Sequence, residues 1–319
     1  MEQVYTFGNY LKDKFGCKVY KVGINISGFT CPNIDGTVAK GGCTFCENDS
    51  FSASTGETKE LKGFYLNLDS KTNPNLDKQL TQLEMQFNAI SKRQKDEYEA
   101  EKFLVYFQSF TNTYAPFETL KALYDKALSF DNVVGLSIGT RSDSITEQTL
   151  DYLAELNKKS EIWIEFGIQS IFDETLQKIN RGHDSANVKE WILKSKSKGL
   201  NVCGHLIFGL PGETKEMMLE TANAAYELGI DSVKYHPLYV VKKTALANDF
   251  LKGKFTPISE ADYLDILVES IKIKPKEISV QRVTAGINDD SLLSPQWCRD
   301  KNTQIKKINK ALKVLNLKY

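Results

Sequence analysis

Six short apolar segments, each followed by a segment with helical periodicity, constrain the fold of this chain more than any other feature. Branched and aromatic residues run through these segments almost without interruption, which is typical of strands buried on both faces of a parallel sheet. Strands that alternate with helices in this way predict an α/β fold, here a partial (β/α)6 barrel of the TIM type. The predicted strands lie at 18–27, 102–108, 133–140, 162–170, 201–210 and 232–240.

One barrel and two shorter extensions account for the length of the chain. With 319 residues, of which 41% are hydrophobic, it can bury a substantial core. We predict an N-terminal extension at 1–17, the barrel at 18–245 and a C-terminal helical and β extension at 246–319. From Arg299 onward basic residues outnumber the single acidic residue Asp300. This basic tail indicates either the solvated face of a last helix or a phosphate-binding surface.

The N-terminus carries no basic region followed by a long apolar stretch, so we expect no signal peptide. No apolar run reaches the roughly 18 residues of a membrane span. We therefore expect a cytoplasmic protein, and in that reducing compartment clustered cysteines are more often metal ligands or catalysts than disulfides. The formal net charge of +0 predicts no attraction of the whole protein to nucleic acid.

Three of the six cysteines lie in CPNIDGTVAKGGCTFC, directly after the first predicted strand. Cys31, Cys43 and Cys46 place thiolates where a glycine-rich turn can direct them at one metal centre. A cubane iron–sulfur cluster takes four thiolates, so three would leave one iron with an open position. Substrates and cofactors bind at such open positions on metals.

Two other kinds of metal site are alternatives. A zinc ribbon needs a second C-x-x-C or a closely spaced histidine pair. The remaining downstream candidates, which are Cys203, Cys298 and the three histidines, do not have such a spacing. A non-catalytic electron carrier or sensor needs a fourth protein ligand, for which Cys17 and Cys298 are available outside the loop.

From about Val19 to Trp297 the chain resembles the radical S-adenosylmethionine (SAM) enzymes. Cys43-Thr44-Phe45-Cys46 resembles the end of the family's cluster motif, although eleven residues separate Cys31 from Cys43 and the commonest version has three. Longer gaps occur in the branch that contains the Elp3 tRNA-modifying proteins. The segments GFTCPNIDGTVAKGGCTFC, YFQSFTNTYAP, EFGIQS, NRGH, HLIFGLPGET and KYHPLYVVKKT resemble the YhcC/YtqA-like (MnmL-like) branch.

The resemblance implies an enzyme in which the three cysteines hold a [4Fe–4S] cluster and the fourth iron takes the amino and carboxylate groups of SAM. Reductive cleavage of SAM would give a 5′-deoxyadenosyl radical that abstracts hydrogen from the substrate, with electrons from a partner such as flavodoxin or ferredoxin. The segment 108–113 occupies the place of the family's methionine-binding motif and lacks its Gly-Gly-Glu. The candidate cofactor-binding residues are Gln108, Asn112, Thr113, Thr140, Arg141, Ser142, Glu165, Gln169, Ser170, Arg181, Ile207, Gly209 and His236.

Structural roles are open for several of these residues. The polar side chains in EFGIQS interrupt a buried strand pattern, and buried polar groups need partners, which a ligand would supply. The alternatives are helix capping for Gln169 or Ser170, a helix terminus for Arg181 and His183, core packing for His205 and His236, and a turn for Gly209.

The resemblance points to tRNA as substrate, in the step from carboxymethylaminomethyl-uridine to aminomethyl-uridine at the wobble position. The basic tail and Lys194, Lys196 and Lys198 are candidate phosphate contacts, and aromatic rings are candidates for stacking on an extruded base. A radical enzyme acting on a small metabolite is the alternative, consistent with the net charge.

Overall fold

A parallel sheet of seven strands forms the centre of the computed structural model, which describes residues 2–47 and 64–319. The described strands are β1 (Glu2–Gln3), β2 (Val19–Ile24), β3 (Lys102–Phe107), β4 (Val133–Thr140), β5 (Glu161–Gln169), β6 (Asn201–Phe208), β7 (Ser232–Pro237), β8 (Val240–Val241), β9 (Ser279–Arg282), β10 (Leu292–Ser294) and β11 (Leu317–Lys318). The described helices are α1 (Phe7–Phe15), α2 (Pro32–Asp35), α3 (Leu76–Tyr98), α4 (Phe117–Leu128), α5 (Glu147–Asn157), α6 (Asp173–Lys178), α7 (Ser185–Ser197), α8 (Lys215–Glu227), α9 (Ala245–Leu251), α10 (Glu260–Ile273) and α11 (Lys301–Leu312).

The large sheet has the strand order β2-β3-β4-β5-β6-β7-β9, with every neighbouring pair parallel. Helices separate consecutive strands along the chain, as parallel neighbours require. The predicted partial barrel of alternating strands and helices is confirmed. No helix in the described ranges combines the length and the apolar character that crossing a membrane would need.

Branched apolar side chains of the central strands lie in the core between the sheet and its helices. Their nearly continuous apolar character follows from burial on both faces of the sheet. Burying each one stabilises the fold by about 1.5–3 kcal/mol relative to an exposed position. Fully buried examples are Val22, Val105, Leu136, Ile164, Val202 and Val233.

Several predicted strands end earlier than the sequence indicated, and the first, predicted at 18–27, ends at Ile24. The strand predicted at 201–210 ends at Phe208, because Gly209 takes a φ of 93° and turns the chain. The strand predicted at 232–240 ends at Pro237, and Val240–Val241 instead pairs with β10 in a small antiparallel sheet. The irregular stretch predicted from Phe51 falls partly outside the described residues.

The strand β9 was not predicted, and it extends the sheet beyond β7. It comes from the chain region predicted as the C-terminal extension. Tyr5, from the N-terminal extension, accepts a backbone hydrogen bond from Val280 of β9 at 2.9 Å. In addition, β1 pairs in parallel with β11. Both extensions therefore contact the sheet or each other, while the predicted domain boundaries stay a prediction.

A row of glutamines on α3 binds the backbone around the edge strand β2. Gln82 accepts from the amide of Ser27 at 2.9 Å, and Gln79 donates to the carbonyl of the same residue at 2.7 Å. Gln86 exchanges both kinds of bond with Asn25. These bonds replace the backbone hydrogen bonds that an edge strand lacks on its open side. They also fix the chain just before the cysteine loop.

Candidate functional site

An open cavity of about 300 Å³ lies at the carboxyl ends of the parallel strands, where barrel folds place their functional groups. Its lining combines the cysteine loop after β2 with residues from β3 to β7 and from β9. The structure thus brings together residues that are far apart in sequence. The predicted residues in this lining are Cys31, Cys43, Cys46, Gln108, Thr140, Arg141, Glu165, Gln169, Arg181, Ile207 and His236.

The cysteine loop is held by backbone and side-chain bonds to the segment 179–182, which follows α6. The amide of Thr44 donates to the carbonyl of Ile179 at 2.9 Å. The side-chain amide of Asn180 donates to the carbonyl of Gly42 at 2.8 Å. The NRGH segment therefore positions the loop that carries Cys43 and Cys46, which its sequence alone did not indicate.

Asn33 and Gly182 form the tightest contact between loop and barrel. Asn33 Nδ2 donates to the carbonyl of Arg181 at 2.8 Å and lies 3.6 Å from the sulfur of Cys43. A Cβ on Gly182 would lie 2.4 Å from Asn33 Oδ1, so this close approach requires glycine. Arg181 Nη1 lies 3.8 Å from the same sulfur. Cys43 is thus surrounded by N–H donors suited to a thiolate.

The charge environment of the three thiols favours a bound metal centre. Burial, followed by the neighbouring Cys43 and Cys31, raises the pKa of Cys46 to about 12. Thiols in such a position ionise when a metal ion compensates their charge. Arg181 and Arg141 act in the opposite direction and stabilise the ionised thiolate. The loop therefore has donors of the kind that a thiolate-bound metal needs.

The spacing of these thiols does not fit a single zinc ion. A tetrahedral zinc with Zn–S bonds of about 2.3 Å brings its sulfurs to within about 3.8 Å of one another. Within the described ranges, the candidate metal ligands that lie within 4.8 Å of one another are Glu165, Cys203 and His205, and the three loop cysteines form no such group. A multinuclear cluster, whose ligands bind different metal ions, accommodates the wider separation.

Buried polar atoms without partners face this region of the protein. Arg141 Nη1, Gln169 Oε1 and Ser109 Oγ are buried without a hydrogen bond. Gln169 and Ser109 also take left-handed φ angles of 67° and 69°, which non-glycine residues seldom adopt. Strained backbone and unpaired polar groups together are typical of binding sites, because a ligand supplies the missing partner.

Glu165 is the centre of a buried ionic network. Lys21 and Lys234 both form ion pairs with its carboxylate, and Ser137 donates a hydrogen bond to it. His205 Nε2 donates to the same carboxylate at 2.8 Å. Burial alone would raise the pKa of Glu165, but the two lysines hold that pKa well below its usual range.

The two lysines of this network were missed from the sequence. Burial lowers the pKa of Lys21 to about 8, and the pKa of Lys234 is lowered for the same reason. Lys234 Nζ also donates to the hydroxyl of Tyr106 at 3.1 Å. The available signal was a lysine in the middle of each apolar strand, VYKVGI and SVKYHP, because lysine is seldom buried unless it is paired.

Five predicted cofactor-binding residues lie outside the cavity lining. Four of them form hydrogen bonds within the protein, and the fifth, Ser142, has a hydroxyl without a partner among the described residues. Asn112 donates to the carbonyl of Gly139 at 3.0 Å, Thr113 shares a hydrogen bond with Thr140 at 2.6 Å, Ser142 has a buried unpartnered hydroxyl, Ser170 accepts from the amide of Phe172 at 3.1 Å, and the amide of Gly209 lies 3.0 Å from the sulfur of Met218.

The family profile described as "Radical SAM superfamily" matches residues 36–225, more than half of the chain. This chain belongs to the radical SAM superfamily. A second profile, "Radical_SAM C-terminal domain", matches residues 230–314. Enzymes of the superfamily use a [4Fe–4S] cluster and SAM, so the chain is a radical SAM enzyme with these cofactors. The thiol charge environment and the unpartnered polar atoms fit both groups.

Two relatives are similar over almost the full chain. The uncharacterized protein YtqA of Bacillus subtilis (strain 168) is 36% identical over 311 residues, covering 98% of this chain and 90% of YtqA. Protein YhcC of Escherichia coli (strain K12) is 35% identical over 310 residues, covering 97% of this chain and 92% of YhcC. These matches confirm the predicted YhcC/YtqA-like branch.

A more distant similarity covers half of the chain. The tRNA uridine(34) acetyltransferase of Methanocaldococcus infernus is 29% identical over 157 residues, covering 48% of this chain and 29% of the acetyltransferase. The solved structure of M. infernus Elp3 with an N-terminal deletion superposes with a TM-score of 0.60 at 17% identity, covering 94% of this chain and 64% of that one. At this identity the superposition shows the fold alone.

Proposed function

We propose that this radical SAM enzyme modifies the wobble uridine of tRNA, in the step from carboxymethylaminomethyl-uridine to aminomethyl-uridine. The observation that carries the proposal is the partial match to a tRNA uridine(34) acetyltransferase, combined with a cavity that opens beside the cysteine loop. That relative is named for a reaction at the same uridine. The proposal assigns this chain a different reaction at that position.

In this proposal Cys31, Cys43 and Cys46 hold the cluster at the cavity wall. Held there, the cluster and SAM would supply the radical chemistry, with SAM as the net two-electron oxidant that is split into methionine and 5′-deoxyadenosine. Loss of a hydrogen atom and then an electron from the methylene between the amine and the carboxylate would give an imine, which water would split into aminomethyl-uridine and glyoxylate. An electron donor such as flavodoxin or ferredoxin is the expected reducing partner. The contribution of the protein is to bind, orient and exclude water.

The cavity residues differ in the kind of contact that they can make with SAM and the cluster. Arg141 offers an unpartnered N–H and Gln169 an unpartnered carbonyl oxygen, so both suit the polar groups of SAM. Arg181 faces the thiol of Cys43. Ile207 gives an apolar surface, which suits a nucleobase. Assignment of the predicted cofactor-binding residues to particular atoms of SAM is part of the proposal.

The C-terminal helix offers the basic surface that tRNA binding needs. Lys306, Lys310 and Lys313 on or next to α11 are exposed, and within the described ranges they form no ion pair. When such lysines contact the phosphates of a nucleic acid, the cations bound to those phosphates are released, and this release favours binding. Part of the predicted basic tail is therefore available to RNA.

A small-metabolite substrate is the second candidate, and one observation favours it. Lys194 pairs with Glu147 and Glu190, and Lys198 pairs with Asp151. Lys196 pairs with Asp231, so the three predicted phosphate contacts on α7 and directly after it each already have an acidic partner. The surface around α7 therefore has less free positive charge for binding RNA than its sequence suggested.

Nucleoside mass spectrometry of total tRNA tests the proposal. A strain lacking the gene should accumulate carboxymethylaminomethyl-uridine and lose aminomethyl-uridine. The wild-type gene and a Cys17→Ala variant should restore the profile, whereas Cys43→Ala should not, because Cys43 is a proposed cluster ligand and Cys17 is not. An unchanged profile in the deletion strain would contradict the tRNA substrate and favour the metabolite.

A further inference from the structure

Arg282 is a positive charge in the cavity wall without a carboxylate partner. It ends β9, lines the cavity and is half-buried, and it forms no ion pair with any residue of the described ranges. Among the other cations that line or adjoin the cavity, Arg181 also has no carboxylate partner in the described part of the chain but lies beside the thiol of Cys43, and the remaining ones have a carboxylate partner. Arg141 pairs with Asp143 at 2.6 Å, and Lys21 and Lys234 share one carboxylate, that of Glu165. This part of the cavity therefore carries excess positive charge.

An irregularity in β9 turns two donors toward the interior. The register between β7 and β9 shifts after Val280, so that Gln281 has no partner on β7 and Arg282 pairs with Lys234. Gln281 Oε1 accepts from Lys21 Nζ at 2.6 Å, while its Nε2 is buried without an acceptor. Such bulges redirect side chains and are common beside active sites. Two neighbouring residues thus present N–H groups that lack an acceptor.

Arg282 is placed apart from the cations that serve the thiols. Arg181 Nη1 lies 3.8 Å from the sulfur of Cys43, and Arg141 Nη2 donates to the carbonyl of Arg181 at 2.7 Å. The charge of Arg282 acts on His236, where it adds to burial in lowering the histidine pKa. Arg181 thus lies beside the cysteine loop that would hold the cluster and SAM, and Arg282 is available for a second anion.

We propose that Arg282 binds a carboxylate of the substrate, which under the proposed function is that of the carboxymethylaminomethyl group. A guanidinium binds a carboxylate through two parallel hydrogen bonds. The inference rests on the proposed function and adds the residue that recognises the group to be removed.

RNA binding measured with the oxidised, SAM-loaded protein tests this role. The probes are a synthetic anticodon stem-loop with carboxymethylaminomethyl-uridine and the same RNA with the carboxylate replaced by a neutral amide. Wild-type protein should bind the acid about 10- to 100-fold more tightly than the amide, as expected for charge-assisted hydrogen bonds. Arg282→Gln should remove this preference, and Arg282→Lys should keep part of it.

The exposed Arg93 on α3 provides the control, since Arg93→Gln removes the same charge outside the cavity. If wild-type protein binds the acid and the amide equally, the role of Arg282 is wrong while the wobble-uridine proposal stands. If Arg93→Gln removes the preference as well, a general charge effect explains it and the inference fails. If neither RNA binds, the inference fails together with the proposed function.

Discussion

The buried carboxylate of Glu165 contributes to the stability of the fold. Replacing it by glutamine keeps hydrogen bonds but leaves Lys21 and Lys234 buried without a counter-charge. We expect Glu165→Gln to lower the free energy of unfolding by about 3–5 kcal/mol, as for other broken buried ion pairs. Urea denaturation of the anaerobically purified protein measures this loss.

The exposed pair of Glu155 and Lys158 gives a matched control. Glu155→Gln should change the free energy of unfolding by less than about 1 kcal/mol, because water screens exposed ion pairs. Equal effects of the two substitutions would show that the network around Glu165 contributes little to stability.

At this scale the sequence predicted the residues with a local signature. The cysteines stand out by their spacing, and Gln169 stands out as a polar side chain in an apolar strand. The partners of Lys21 could not be predicted, because the fold brings Gln281 of the opposite edge strand to it from 260 positions away in the chain. Pairing across a barrel depends on strand order and register, which a single sequence does not specify.

The contact between the cysteine loop and the segment 179–182 gives a prediction at the scale of elements. Gly182→Ala would place a Cβ 2.4 Å from Asn33 Oδ1 and displace the loop. We expect it to lose most of its cluster iron, measured by iron analysis and visible absorbance after anaerobic reconstitution. The strain of a left-handed alanine adds about 1 kcal/mol of destabilisation.

Gly199→Ala separates the displacement of the cysteine loop from the backbone strain of a left-handed alanine. Gly199 has a similar φ of 75°, but a Cβ there would meet nothing within 4 Å. It should therefore show the backbone strain and keep its iron. Equal iron content in the two alanine variants would mean that the contact with Asn33 does not position the cysteine loop.

Elements with a strong pattern were predicted and those without one were missed. Strands such as β4 and β5 are long and apolar, so their existence follows from burial on both faces. β9 spans four residues, SVQR, of which three are polar, so it carries no apolar run. The helix predicted from Leu80 begins at Leu76, because its first turn is polar and resembles the preceding loop.

The histidines make the stability of the whole molecule depend on pH. The sequence contains three, and all have lowered pKa values in the fold. For His205, burial lowers the pKa to about 4, whereas in the unfolded chain it is about 6.5. Between these values the unfolded chain binds more protons, so stability falls as the pH falls from 6.5 toward 4.

We expect His205→Asn to reduce the loss of stability between pH 7 and pH 5 by about 1–2 kcal/mol. Urea denaturation at both pH values, in the mutant and the wild type, gives this difference and removes any constant effect of the lost bond to Glu165. Identical losses in the two proteins would mean that the pKa of His205 is the same in the fold as in the unfolded chain.

The glutamine row of α3 has a consequence for how copies of the protein meet. An open barrel has free strand edges, and free edges can recruit a strand from a second molecule and start aggregation. Here Gln79, Gln82 and Gln86 occupy backbone groups of Asn25 and Ser27, and Gln94 occupies the carbonyl of Lys21. The helix thus acts as a built-in substitute for a neighbouring strand, and it protects this edge from intermolecular sheet growth.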